Sequence, residues 1–160
     1  DDVSGADAAI ASAHASVSAA HRDLRSPLAG KVCPVGGPNG FIDSWHYPRP
    51  GGRLHLGVDM FAAHGTPLHA VADGVVDNVY TDSLGGLAVT MTDTGGDYYY
   101  YAHLSSASSR SGQRVRARDV IGAVGNSGNA RGTPPHVHWE YHPGGGTPVN
   151  PTPLATALCR

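Results

Sequence analysis

The chain has 160 residues, which is the size of one ordinary domain and long enough to bury a core. Its formal net charge of −2 at pH 7 excludes a general electrostatic attraction to nucleic acid or to anionic membranes. The sequence contains no run of roughly 18 or more apolar residues, so we expect no membrane span.

Residues 1–26 differ in composition from the rest of the chain. They are rich in Ala and Ser, contain no Pro, and place Ile10, Val17 and Leu24 seven residues apart. This spacing predicts an α-helix with a narrow apolar seam, either a linker or the end of a coiled coil. We therefore divide the chain into an N-terminal helical segment, 1–26, and a main domain, 27–160. The first residues lack the charged and apolar regions of a signal peptide, so none is expected within this sequence.

The main domain has the pattern of short strands. The chain contains 22 Gly and 12 Pro, a content that favours frequent turns over long helices. Alternating segments such as LAVTMTD and YYYYAHLS are bounded by tight turns at Gly85-Gly86 and Gly95-Gly96. Strands joined by such turns pair antiparallel. We predict an all-β domain built mainly on an antiparallel sheet and preceded by the N-terminal helix.

The two cysteines lie near the two ends of the main domain, at Cys33 and Cys159. No CxxC pair occurs, which excludes a cysteine zinc site. One disulfide joining the start of the domain to its end, formed in an oxidising compartment, fits this arrangement. Two separate buried thiols are the alternative.

The first candidate site residues are His55 and Asp59, in the segment HLGVD. If this segment is a strand, positions 55, 57 and 59 share one face, and Gly57 leaves that face open for the imidazole and carboxylate to converge. An HxxxD pattern alone also occurs by chance.

A second candidate pair is His136 and His138, in the segment HVHWE. In a strand both imidazoles point to one face and Val137 to the other. Core packing explains such a pair poorly, because both polar rings would need partners. His103, which follows four tyrosines, is a third candidate, although on its own it could be a hydrogen-bonded core residue.

Taken together, these residues predict a catalytic zinc site. Hydrolytic Zn²⁺ takes three protein ligands and keeps one position for water. His55, Asp59 and one histidine of the HxH pair supply such a set, and the remaining histidines are then free for proton transfer. The sequence has no HExxH motif, so a histidine would have to act as the base. A purely structural zinc site is disfavoured, since it usually has four protein ligands.

These motifs resemble those of the lysostaphin-type (LytM-type) zinc endopeptidases. The resemblance runs from about residue 26 to residue 150, with the motifs in the order found in that family. The matching segments are RLHLGVD at 53–59, GTP at 65–67, ADGVV at 72–76, YAHLS at 101–105, GQRV at 112–115, IGAVGNSG at 121–128 and HVHWE at 136–140.

The resemblance implies one zinc ion held by His55, Asp59 and His138, with His103 and His136 as the two catalytic histidines. It does not decide which of the two is the base. Glu140 has the parity of the two histidines and is either a partner that orients a ring or a solvated carboxylate.

The resemblance also implies an open groove and cleavage of peptidoglycan cross-bridges or stem peptides, in a secreted or cell-envelope location in bacteria. Loops 36–52, 82–86 and 126–135 are expected to shape the groove. Tyr47 and Asn126 are candidates for substrate contact. We expect a monomer that binds peptidoglycan peptides and no nucleic acid. A non-catalytic module that binds the cell wall or activates other hydrolases is the alternative, although every ligand position is filled.

Overall fold

The computed structural model describes residues 10–13 and 28–160. Residues 10–13 are helical, as expected for the N-terminal segment. The remainder of that segment, its heptad spacing and the proposed boundary at residue 26 lie outside the described residues.

The described part of the main domain consists almost entirely of strands and turns. The strands are β1 (Pro48–Arg49), β2 (Arg53–Leu54), β3 (Val58–Phe61), β4 (Pro67–His69), β5 (Gly74–Asp82), β6 (Gly86–Asp93), β7 (Tyr98–Ala107), β8 (Arg114–Val115), β9 (Val120–Val124) and β10 (His136–His142). Two short 3₁₀ turns (Gly128–Ala130 and Pro143–Gly145) and a C-terminal helix (Thr152–Cys159) complete the described chain.

The main sheet has eight strands. Its path runs in the order β3-β10-β7-β6-β5-β8, while β9 pairs with β7 and carries β4. All of these pairings are antiparallel, which confirms the predicted fold class. Strands β1 and β2 form a separate antiparallel hairpin.

Alternation along the two central strands separates a core face from an open face. On β7, Tyr99 and Tyr101 are fully buried, and Tyr99 stacks against the fully buried Trp139 of β10. The intervening residue Tyr100 is only partly buried and lies on the opposite face, because strand side chains alternate. The HxH histidines share this second face. The sheet therefore lies between the core on one side and the candidate site on the other.

The alternation on β7 breaks at His103. By parity with Tyr101, His103 would point into the core, and yet the next core residue is Leu104. His103 has a left-handed backbone (φ 66°), and the pairing with β6 shifts register between Leu87 and Val89. These features mark a β-bulge, an extra residue in one strand of a pair, which changes the direction of a side chain. It turns the His103 ring out of the core and toward the face that carries the HxH histidines.

Two loops meet beside this open face through a close glycine contact. An ideal Cβ on Gly86 would lie 2.4 Å from the backbone nitrogen of Gly128, and both glycines have positive φ. Asp82 Oδ1 accepts hydrogen bonds from the backbone nitrogens of Leu84 and Gly85 and so holds the β5–β6 turn. Only residues without side chains permit this contact, which joins the 82–86 turn to the 126–135 loop.

A disulfide joins the two ends of the described main domain. Cys33 and Cys159 are bonded at an S–S distance of 2.07 Å across a sequence separation of 126 residues. Beside it, the Arg160 guanidinium lies 4.3 Å from the centroid of the Phe41 ring. The C-terminal helix is therefore anchored to the first loop of the domain. Among the described residues, no helix is long and apolar enough to cross a membrane.

Candidate metal centre

Three side chains converge on one point at the edge of the open face. His55 Nε2 lies 3.0 Å from Asp59 Oδ1 and 2.9 Å from His138 Nδ1. His138 Nδ1 lies 3.1 Å from the same carboxylate oxygen. These are the three residues predicted as metal ligands, and within the described chain they form a group able to hold a metal ion.

The register of the sheet brings two of the three together. Strands β3 and β10 pair so that His138 stands directly opposite Asp59, whereas His136 stands opposite Phe61. A shift of two residues would exchange the two histidines. The spacing of the HxH motif does not decide which of the two histidines lies beside Asp59. The pairing of β3 with β10 selects His138.

His55 reaches the site from a loop rather than from a strand. The prediction that residues 55–59 form one strand is wrong, since β3 begins at Val58. The backbone of His55 instead pairs with the loop before β1: its nitrogen donates to the Tyr47 carbonyl, and its carbonyl accepts from His46. Backbone hydrogen bonds to the segment just before β1 therefore hold His55 in place.

Gly57 provides the space that the His138 ring occupies. A Cβ at this position would lie 2.7 Å from His138 Cε1 and 2.6 Å from the Trp139 carbonyl oxygen. The open face expected at Gly57 is thus present, although it results from close packing against β10 rather than from strand parity.

Neighbouring acceptors set the tautomers of both histidines. His55 Nδ1 lies 2.9 Å from the Ser44 carbonyl oxygen, which can only accept, so Nδ1 carries the proton and Nε2 offers its lone pair. His138 Nε2 lies 2.9 Å from Glu140 Oε1, so Nε2 carries the proton and Nδ1 offers its lone pair to a metal. The other Glu140 oxygen lies 2.8 Å from His142 Nε2. Partners of this kind orient metal-binding histidines.

The electrostatics of the cluster favour a positive charge at its centre. Burial alone would raise the pKa of Asp59, but the two histidines beside it, His138 and His55, outweigh burial and hold that pKa well below its usual range. Burial would likewise lower the pKa of His138, yet Asp59 and Glu140 on either side raise it. Arg49 also donates to Asp59 Oδ2 at 2.6 Å. The two carboxylates are thus ionised and stabilise a proton or a metal cation.

The donor set fits zinc. Tetrahedral ligands at about 2.0–2.1 Å from a zinc ion stand about 3.3 Å from one another. The three donor atoms are 2.9–3.1 Å apart, so small outward shifts would admit the ion. Two imidazoles and one carboxylate are also a common catalytic zinc set, which leaves the fourth position open.

His103 and His136 lie beside this cluster with the same tautomer. Their Nδ1 atoms lie 2.9 Å from the carbonyl oxygens of Ser127 and Pro134, so Nδ1 of each ring carries a proton and Nε2 is the position at which the ring can gain or lose one. The two ring centroids are 5.0 Å apart. Burial, reinforced by His136 and His138, lowers the pKa of His103 to about 4, which keeps this ring neutral near pH 7.

An open groove of about 920 Å³ runs past all five residues. Its walls come from the three predicted loop regions and from the β1–β2 hairpin. Besides the five site residues, it is lined by Arg49, Pro50, Arg53, Leu54, Leu56, Phe61, Leu84, Gly85, Tyr100, Ala102, Asn129, Ala130, Thr133, Pro134 and Glu140. The exposed apolar side chains among these give a mostly apolar surface.

Two predicted substrate contacts lie outside this lining. Tyr47 is exposed and contributes only backbone hydrogen bonds near His55, and the Asn126 amide donates to the Thr133 carbonyl. Tyr100 lines the groove in their place. No motif marks Ser44 or Arg49, which contact the cluster from loop and hairpin, so sequence analysis missed both.

Comparison with known proteins gives one consistent family. The model of peptidase family M23 matches residues 53–151. The chain is 44% identical over 132 residues to the DD-carboxypeptidase/endopeptidase Mpg of Neisseria meningitidis, a match that covers 82% of this chain and 27% of that protein. The chain therefore spans about a quarter of the length of this curated relative.

Solved structures with the same fold agree. The catalytic domain of the peptidase lysostaphin from Staphylococcus simulans superposes with a TM-score of 0.64 at 28% identity, covering 74% of this chain and 92% of that one. A zinc-containing peptidase from Vibrio cholerae superposes with a TM-score of 0.62 at 25% identity, covering 75% of this chain and 38% of that one.

Proposed function

We propose that this chain, which belongs to peptidase family M23, is a zinc endopeptidase that hydrolyses peptide bonds in bacterial peptidoglycan. The observation that carries the proposal is the convergence of His55, Asp59 and His138, with His103 and His136 beside them in an open groove. A further relative, the peptidoglycan DD-endopeptidase ShyC of Vibrio cholerae, is 33% identical over 89 residues, which cover 56% of this chain and 20% of that protein, and its name supports a peptidoglycan substrate.

The three converging residues would hold the metal. A zinc ion there supplies a Lewis acid that polarises a peptide carbonyl and activates water for attack. His55 and His138 contribute the lone pairs that their tautomers leave free, and Asp59 contributes a carboxylate whose pKa is held low. Glu140 keeps the His138 ring oriented.

The other two histidines would handle protons. Each holds its Nδ1 proton on a backbone carbonyl, so Nε2 is the atom that accepts a proton from the attacking water. His136 Nε2 lies 4.0 Å from Asp59 Oδ1, next to the metal ligands. Once protonated, either ring would donate a hydrogen bond to the developing oxyanion or transfer its proton to the leaving nitrogen, which then departs as an amine.

The surroundings fit a peptide outside the cytoplasm. Leu54, Leu84 and Pro134 contribute apolar surface to the groove, which suits contact with a peptide chain. The Cys33–Cys159 disulfide suits an oxidising compartment. We therefore propose a secreted or cell-envelope location and a monomeric enzyme.

Metal content and cell-wall digestion test the proposal together. We expect about one equivalent of zinc per chain, release of new amines from purified sacculi, and loss of that release on chelation. His138→Ala and Asp59→Ala should lose both zinc and activity. His64→Ala, which removes an exposed histidine outside the groove lining, is the matched control.

Two results would contradict the proposal. Full zinc content in both ligand variants would refute the ligand assignment. Zinc-loaded protein that releases no amine from sacculi of several chemotypes would favour a non-catalytic module that binds the wall or activates other hydrolases.

A further inference from the structure

The β1–β2 hairpin places two arginines opposite each other at the edge of the groove. Arg49 and Arg53 are cross-strand partners in this antiparallel pair, and both line the groove. Side chains directly opposite in such a pair start about 5 Å apart, and like charges there repel each other. The hairpin therefore concentrates positive charge that needs a counter-charge.

Only one of the two arginines has a counter-charge. Arg49 is bound to Asp59 Oδ2 at 2.6 Å. Arg53 is exposed, and among the residues that the structure describes its side chain has no hydrogen-bond or ion-pair partner. Its guanidinium is thus available to a ligand in the groove.

The carboxylates of the groove are already in use. Asp59 contacts His55, His138 and Arg49, and Glu140 bridges His138 and His142. These two are the acidic residues in the groove lining within the described chain. Neither is free to neutralise Arg53, so the groove presents one uncompensated positive charge beside an otherwise apolar wall.

We propose that Arg53 binds a carboxylate of the substrate peptide, so that this groove selects acidic stem peptides over neutral cross-bridges. The inference rests on the proposed peptidoglycan substrate. Stem peptides carry free carboxylates on D-glutamate, diaminopimelate and terminal D-alanine, whereas glycine cross-bridges carry none. The planar guanidinium fork matches a carboxylate in a bidentate pair.

The position of Arg53 in the chain limits where that carboxylate lies. Arg53 precedes the metal-ligand candidate His55 by two residues, and the backbone of His55 is held by the loop that leads into β1. The hairpin and the metal centre are therefore parts of one wall. The bound carboxylate belongs to a residue near the scissile bond rather than to a distant part of the wall polymer.

Matched pairs of synthetic stem pentapeptides test the proposal. One pair compares the free C-terminal acid with its amide, a second compares D-glutamate with its α-carboxamide, and a third compares diaminopimelate with its ε-carboxamide, so that the three sources of the carboxylate are distinguished. We would measure kcat/KM and Kd for the wild type, Arg53→Met and Arg53→Lys. Arg116→Met, an exposed arginine next to the opposite edge strand β8, removes the same charge outside the groove.

The wild type should prefer one acid over its amide by roughly tenfold, the lower end for a hydrogen bond to a charged group in a partly exposed site. Arg53→Met should bring the ratio close to one, Arg53→Lys should retain part of it, and Arg116→Met should keep it. Added salt should reduce the preference, because the pair is open to solvent.

Each other outcome has a distinct meaning. No discrimination by the wild type in any of the three pairs, or an equal loss on acid and amide in Arg53→Met with unchanged zinc content, would overturn the role of Arg53. If the wild type cleaved no peptide and no sacculus, the proposed activity would fail, while the Kd ratios would still decide whether Arg53 binds a carboxylate.

Discussion

Gly57→Ala adds a single methyl group and should disturb the candidate metal centre without replacing any of its three ligand residues. The added Cβ would lie 2.7 Å from His138 Cε1, 2.8 Å from His138 Nε2 and 2.6 Å from the Trp139 carbonyl oxygen. Ordinary contacts begin at 3.4 Å. The Trp139 carbonyl belongs to a strand paired on both sides and cannot easily move, so the backbone at residue 57 and the ring of His138 must both shift.

The required shift is about 0.7 Å, the difference between 3.4 and 2.7 Å. A movement of that size stretches the 2.9 Å contact between His138 Nε2 and Glu140 and turns Nδ1 away from Asp59. Overpacking of this kind costs about 1–3 kcal/mol of stability. Disturbing the partner that orients a ligand weakens metal binding by roughly 10–100-fold.

Competition against a chromophoric zinc chelator measures the affinity, and thermal unfolding of the zinc-free protein measures the stability. Gly40→Ala is the matched control, because a Cβ there meets nothing within 4 Å. We expect Gly57→Ala to bind zinc at least tenfold more weakly and Gly40→Ala to behave like the wild type. If Gly57→Ala kept wild-type zinc affinity and stability, the packing argument for the His138 position would be refuted.

Three further predictions follow from the site and its supports. Replacing Cys33 and Cys159 together with Ser should lower the free energy of unfolding by about 2–5 kcal/mol, because the disulfide closes a loop of 126 residues; denaturant titration measures this, and no loss would contradict it. Glu140→Gln should weaken zinc binding about tenfold in the same chelator competition, and unchanged affinity would show that this carboxylate does not orient His138. Burial lowers the pKa of His103 from 6.5 to about 4. Between these two pH values the unfolded chain is protonated at this histidine and the folded protein is not, so the free energy of unfolding falls by up to about 1.4 kcal/mol for each pH unit of acidification. His103→Asn, whose side chain tolerates the left-handed backbone, should flatten this fall in zinc-free protein, and an unaltered pH profile would argue against a buried neutral ring.

The arrangement also separates two uses of positive charge in one groove. Arg49 binds one oxygen of the Asp59 carboxylate, and the proposed metal would bind the other, so Arg49 would support the centre. Arg53, its cross-strand partner, has no ion-pair partner within the described chain, and we assign it to binding the substrate. Substitutions at these neighbouring positions should therefore differ in kind, with Arg49 affecting metal retention and Arg53 affecting the choice of peptide.

Much of the fold and of the site chemistry was accessible from the sequence. The strand class followed from alternation and turn glycines, and the shared face of His136 and His138 followed from their spacing, because both depend on local backbone periodicity. The types of donor, two imidazoles and a carboxylate, indicated zinc before any geometry was known.

Only the tertiary structure decided how those residues meet. The β3–β10 register, which a two-residue slip would change, pairs Asp59 with His138 rather than with His136. His103 reaches the site because its own left-handed backbone breaks the parity of its strand, and His55 reaches it from a loop held by hydrogen bonds to the segment before β1. Register and loop conformation depend on contacts between different segments of the chain, and local periodicity carries no information about them.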